Sequence, residues 1–251
     1  MTEYASNALL VTAHNADHQR VRELAAVNQS YSDWVVFNNR RAWDELGQEK
    51  SCNISNGVDL KFFKVLYEGE SRPEKAVWTG GFGKGLFDFL NPLREKCKES
   101  KFNIHLKPIS SGAWDKNQKP KRTTVWGMEK MIKWYNGAKY VLCCSETDST
   151  PNYILEAMAC GCVPITTQVG NAMEFGQQFN NVVFAPRDLD AFHSALLYAR
   201  ENFDRLQAES LKTIRQWGWD KRALMYFDLF DRLLNKEKIE KFSYMEIENG
   251  T

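Results

Sequence analysis

Two carboxylates, Asp148 and Glu156, stand eight positions apart in the run from Ser145 to Gly170, SETDSTPNYILEAMACGCVPITTQVG. An apolar, strand-like stretch ends at Cys144, a polar turn follows, and a helix is expected from about Pro151, whose ring suits a first helical turn. A helix start offers backbone N–H donors and the positive end of a dipole, so the groups around Asn152, Tyr153 and Ile154 suit a phosphate. Carboxylates on either side of such a start suit sugar hydroxyls. For Asp148 a turn or N-cap role competes, because Asp favours both. For Glu156 the competing role is a pair with a nearby base. Upstream, Gly80-Gly81-Phe82-Gly83-Lys84-Gly85 is a glycine-rich turn that delivers its lysine to a helix start. The dipole disfavours a cation there unless an anion lies beside it.

Other residues of the right type carry less. Asp188-Leu189-Asp190 has the form of a D-x-D metal motif, but it follows Pro186 and opens an amphipathic run, which predicts a helix cap. His14 and His18 have the i, i+4 spacing of a shared metal, with Asp17 where a hydrolase would carry its glutamate and no third ligand evident. No resident metal is therefore expected. The six cysteines (Cys52, Cys97, Cys143, Cys144, Cys160 and Cys162) lack paired C-x-x-C sites and read as reduced core thiols. Lys116 to Thr124 holds four cations and reads as a solvated loop, with contact to an acidic acceptor or lipid headgroup as the alternative. Leu224, Phe227, Phe230 and Leu234 fall at helical spacing and predict a core-facing helix.

The elements that must position these residues are short apolar runs alternating with helical segments. The strand candidates are Leu9 to Val11, Trp34 to Phe37, Ala76 to Trp78, Ile104 to Leu106, Tyr140 to Cys143, Val163 to Ile165 and Val182 to Phe184. Helices are expected over Asp17 to Val27, around Ala42, over Lys84 to Glu99, Met128 to Asn136, Asn152 to Cys160 and Leu189 to Asn202. That alternation predicts an α/β fold, a doubly wound, mainly parallel, Rossmann-like sheet with a short N-terminal α/β appendage. The expected division is 1–55 for the appendage, 56–75 for a linker and domain entry, 76–235 for the main unit and 236–251 for a polar tail. With 251 residues the chain is too short for two complete nucleotide folds. A net charge of +1 gives no general field for nucleic acid, which is not expected as a partner. No run approaches a membrane span and the opening residues lack a signal-peptide pattern, so a cytoplasmic location is expected.

Asp148-x7-Glu156 followed by Ala157 to Pro164 resembles the E-x7-E signature and EAMAxGxPV run of retaining GT-B glycosyltransferases of the family-4, or group 1, type. Asn56-Gly57-Val58-Asp59 with Phe63 resembles the opening of that family's C-terminal, nucleotide-sugar-binding domain. The turn at Gly80 to Gly85, Val169-Gly170 with Glu174, and Phe184-Ala185-Pro186 with Asp188 are similar to further elements in the same order. The resemblance implies that Glu156 holds ribose hydroxyls, that Asp148 contacts the donor sugar, and that Lys84 with Gly83 meets the diphosphate. It also implies that Asn152, Tyr153 and Ile154 cradle the diphosphate, that Trp126 lies near the base, and that Glu174 helps hold the sugar. The expected catalytic set is thus Asp148, Lys84 and Glu174. The first acidic position is Asp where the family usually has Glu, the lysine turn is short, and the arginine that commonly precedes the lysine is absent. The acceptor-binding N-terminal domain is largely missing. The implied function is transfer of a sugar from a UDP- or GDP-linked donor with retention and no cofactor, to a glycan, lipid or protein acceptor. The alternative is a non-catalytic nucleotide or nucleotide-sugar binding module, with a second copy or a partner chain supplying the missing half.

Overall fold

Among the described residues of this computed structural model every strand pair is parallel, in two sheets. The structure describes residues 11–14, 32–47, 49–67, 72–80, 85–108, 127–148, 150–240 and 242–244, with backbone alone at 11–14, 108 and 242–243. The first sheet joins β1 (Val11–His14), β2 (Trp34–Phe37), β3 (Ser51–Asn53) and, from the far end of the chain, β9 (Phe242–Ser243), in the order β1-β2-β3-β9. Helix α1 (Arg40–Leu46) follows β2 and is capped by Asn39, whose side chain accepts from the Ala42 amide at 2.8 Å. The second sheet holds β4 (Lys75–Gly80), β5 (Asn103–Pro108), β6 (Tyr140–Cys143), β7 (Val163–Thr166) and β8 (Val183–Phe184), in the order β5-β4-β6-β7-β8. This is the α/β, Rossmann-like architecture expected. The proposed helix at Asp17 to Val27, His18 and the Lys116 to Thr124 run lie outside the described residues.

The second sheet reads as unbroken apolar runs because both its faces are covered. Val77, Val141 and Cys143 pack on one face under α3 (Met128–Asn136) and α4 (Asn152–Ala159). Ala76, Trp78, Tyr140 and Leu142 pack on the other with Leu90 and Leu93, and with Phe192 and Leu196 of α6 (Leu189–Glu201). Strand order reverses between β4 and β6, since the chain runs outward to β5 and then returns across β4. Ligands in doubly wound sheets bind at the carboxyl ends on either side of such a reversal. The loops that leave β4 and β6 are those at Gly80 and Ser145.

Three elements differ from expectation, each for a local reason. The helix expected over Lys84 to Glu99 is described from Gly85 onward as a π-helical turn, Leu86–Leu90, running into α2 (Asn91–Lys96). The Gly85 carbonyl accepts from both Phe89 (3.2 Å) and Leu90 (2.8 Å), and Pro92 has no N–H to continue the regular ladder. After α5 (Ala172–Phe175) and α7 (Phe203–Ile214), helix α8 (Trp219–Leu234) buries Arg222, Met225 and Leu229. Leu224, Phe227 and Leu234, expected in the core, are instead 65–67% exposed. Both stripes repeat at helical spacing, so periodicity alone does not choose between them. Met225 and Leu229 of the buried stripe pack with Trp34 and Val36 of β2, Cys52 of β3 and Ile54 just past β3. The expected polar tail re-enters that sheet as β9, beside buried Tyr244, whose hydroxyl donates to Asp228 at 2.7 Å.

Candidate functional site

Helix α4 is apolar around most of its circumference: Ile154, Leu155, Ala157, Met158 and Ala159 are all buried. Asn152, Tyr153 and Glu156 are the less buried positions, and Asn152 and Glu156 lie one turn apart on one face. The helix stops in a Schellman motif. Gly161 N–H donates to Met158 (2.8 Å), Cys162 N–H donates to Ala157 (2.9 Å), and Gly161 has φ +84°. This turn feeds directly into β7 and fixes α4 against the sheet. At its other end the Asn152 and Ile154 amides already donate to Thr150 (2.7 Å) and Pro151 (2.9 Å), so the helix start spends part of its donor capacity on its own turn.

Asp148 is 8% exposed in the loop after β6. Burial raises the pKa values of the Cys143 thiol and the Tyr153 hydroxyl; the charge of Asp148 adds to both, for Tyr153 behind the effect of neighbouring Cys143. Glu156 accepts from the Tyr135 hydroxyl at 3.0 Å. Burial raises its pKa, and the bond from Tyr135 opposes that rise. Asn56 donates to the Asn152 side chain at 3.1 Å. The Asn56 to Asp59 segment is itself pinned, as Val58 exchanges backbone hydrogen bonds with Trp217 (2.9 Å) and Trp219 (3.0 Å). The segment thus comes within reach of α4, and Phe63 behind it packs on Tyr135 with ring centroids 6.3 Å apart.

Glu174, on α5, is placed differently. One oxygen accepts from the Arg40 amide at 2.6 Å and the other from the Ser55 hydroxyl, so its carboxyl group joins the second sheet's helices to the first sheet. Burial raises its pKa to about 7. Gly83, Lys84 and Trp126 lie outside the described residues. Asp188 is the N-cap of α6, accepting from Ala191 at 2.9 Å, and Asp190 pairs with Lys96 at 2.6 Å. That pair of acids is therefore a helix cap and an ion-pair partner. Among the described residues no group of three His, Cys, Asp or Glu could hold a metal.

Two residues of this region carry no signal in the sequence. Tyr135 is an ordinary aromatic on an amphipathic helix until α4 brings Glu156 to it. Arg187 donates to the Cys144 carbonyl (3.1 Å) and Glu146 (3.0 Å) and pairs with Asp88. It ties the loop after β6 to the turn after Gly85, the two segments flanking the strand reversal. A cavity of about 530 Å³ opens beside Ser145, Thr167, Val169, Phe184 and Pro186, at the same carboxyl edge. A larger one, about 810 Å³, lies by Lys64, Arg72, Lys139 and Arg215 at the opposite edge. Two of its cations are already engaged there: Arg72 binds the Ala138 and Cys160 carbonyls, and Lys139 binds Glu74.

The described residues offer two acids and a helix start beside a strand reversal, a layout for binding a phosphorylated, hydroxyl-rich molecule. No curated protein sequence matches the chain significantly. Among solved structures, a sucrose-phosphate synthase of Thermosynechococcus elongatus superposes with a TM-score of 0.69 at 16% identity, over 88% of this chain and 63% of that one. TarM gives 0.68 at 14%, over 90% and 51%. Anabaena HepE, determined with UDP and glucose, gives 0.63 at 12%, over 90% and 71%. The chain thus spans about half to seven tenths of these proteins, and the likeness is one of fold. The sequence signature of glycosyl transferases group 1 matches residues 74–202, just over half of the chain, from the start of the second sheet to the end of α6. The chain belongs to the group 1 glycosyl transferases.

Proposed function

We propose that the chain is the donor-binding part of a glycosyltransferase that moves a sugar from a UDP- or GDP-linked donor with retention of configuration. The observation that carries the reading is Glu156. It is the acidic residue of a mostly buried helix that follows β6, the strand beside the reversal, and its carboxylate accepts from Tyr135. A carboxylate there suits the paired hydroxyls of a ribose. Asp148, in the loop before the helix, is assigned to the donor sugar. As the bond to the sugar breaks, negative charge grows on the departing nucleoside diphosphate. Lys84 and the α4 start are assigned to that charge, with no metal required. The acceptor is a glycan, lipid or protein. HepE, determined with UDP and glucose, supports a UDP-linked donor.

A second reading, that the chain binds nucleotide without transferring sugar, rests on Glu174, both of whose oxygens are already engaged within the protein. Donor turnover separates the two. The shared step is tested by calorimetry with UDP, GDP and ADP. A charge-assisted hydrogen bond contributes on the order of 1.5–3 kcal/mol, so Glu156→Ala should weaken the best nucleotide by about 10- to 150-fold while the protein stays folded. Unchanged affinity in a folded variant would remove Glu156 from the site.

A further inference from the structure

Beyond the acids of the site, one buried polar chain crosses three elements: Thr79 at the end of β4, Tyr135 in the last turn of α3, and Glu156 in α4. The Tyr135 side chain is fully buried and Thr79 is 1% exposed. The hydroxyl of Tyr135 lies 3.0 Å from Glu156 Oε2 and 3.3 Å from Thr79 Oγ1. Proton counting fixes the direction. An ionised carboxylate only accepts, so Tyr135 gives its one proton to Glu156 and can take only an acceptor role toward Thr79, which donates. The tyrosine ring is fully buried, and Phe63 packs on it with centroids 6.3 Å apart.

We infer that Tyr135 is a positioning residue that locks the Glu156 carboxylate in one rotation, presenting Oε1 to the ribose, and so sets the site's preference for ribose hydroxyls over a sugar that lacks them. Oε2 is tied to the protein, while Oε1 takes no hydrogen bond among the described residues. A long carboxylate side chain without that tie samples several rotamers, and each bond to a ligand must then order it. Sites built to meet a hydroxyl reject analogues lacking it because the buried polar group is left unpaired. Burial already favours the protonated form of Glu156, and the bond from Tyr135 works against it, keeping the acceptor available. The inference rests on the reading of Glu156 as the ribose-binding acid.

The test compares UDP with 2′,3′-dideoxy-UDP by calorimetry on the wild type, Tyr135→Phe and Glu156→Ala, after circular dichroism has established folding. GDP and ADP with their dideoxy forms are used in turn if UDP does not bind. The wild type should favour the ribonucleotide by roughly tenfold or more. Tyr135→Phe should weaken the ribonucleotide about five- to twentyfold and leave the dideoxy form within about twofold, so that the ratio collapses. A merely structural tyrosine would weaken both alike, and that result, or an unchanged ratio, overturns the inference. If Glu156→Ala abolishes discrimination while Tyr135→Phe keeps it, the inference alone fails. If Glu156→Ala changes nothing, or no nucleotide binds the wild type, the reading of the site fails with it. Should Tyr135→Phe not fold, Thr79→Val, which removes the donor behind the tyrosine, carries the same readout: the ratio should fall at least about twofold, and an unchanged ratio overturns the inference.

Discussion

The carboxyl group of Glu174 takes one hydrogen bond from the start of α1 and one from Ser55, partners 134 and 119 positions away along the chain. Burial holds its pKa near 7, above the value of an exposed glutamate, despite the nearby charges of Arg40 and Arg222. The protonated form is therefore favoured by folding. Its contribution is present in full below about pH 4.5 and is lost as pH rises toward 7. Glu174→Gln, which can accept from Arg40 and donate to Ser55, mimics the protonated acid at every pH. The melting temperature of the wild type should thus fall relative to that of the variant between pH 5 and 8. Parallel melting curves across that range would show that Glu174 is ionised throughout. Single residues were legible in the sequence where their chemistry is local, as for Asp188, which caps a helix three residues ahead. The partners of Glu174 and Glu156 are set by the fold, and nothing in the spacing of Ser55, Arg40 or Tyr135 announces them.

At the scale of elements, the strands Trp34 to Phe37 and Tyr140 to Cys143 and the helix Met128 to Asn136 could be read residue for residue. Strands covered on both faces appear as apolar runs, and α3 has one clear apolar side. The terminal helix α8 could not be oriented, because it carries an apolar stripe on each of two sides and the fold buries one. Nor could the π-helical turn after Gly85 be foreseen, since it depends on where Pro92 interrupts the ladder. The glycine after α4 makes a sharper case. Its backbone has φ +84°, and a Cβ there would come within 2.9 Å of the Arg72 guanidinium, which also binds the Cys160 carbonyl. Gly161→Ala should cost roughly 1–2 kcal/mol in a denaturant titration, from the left-handed conformation alone. A variant as stable as the wild type would mean that the Schellman turn relaxes without loss.

For the whole molecule, the relevant fact is that the chain spans only about half to seven tenths of the transferases it superposes on. Transferases gain rate by aligning two substrates and excluding water. We predict that the isolated chain binds nucleotide but transfers sugar slowly, unless a second copy or another protein completes the cleft. Light scattering and donor turnover on one sample check this, and a strict monomer turning over at ~1–10³ s⁻¹ would overturn it. The sequence made the second sheet legible because its βα units are contiguous. It concealed that the first sheet is assembled from both ends of the chain.

That assembly has a consequence for biosynthesis. The face formed by Trp34, Val36, Cys52 and Ile54 is covered by Met225, Leu229 and Tyr244, which leave the ribosome some 170 residues after Ile54. At about 5–20 residues per second the first sheet waits on the order of 10 to 30 s for its cover. Every strand of the second sheet, from Lys75 to Phe184, emerges during that interval. The part made first is thus the part completed last, and through the wait it exposes Trp34 and Val36 of β2, Cys52 of β3 and Ile54 beyond it to any chaperone, or any neighbouring nascent chain, that reaches them first.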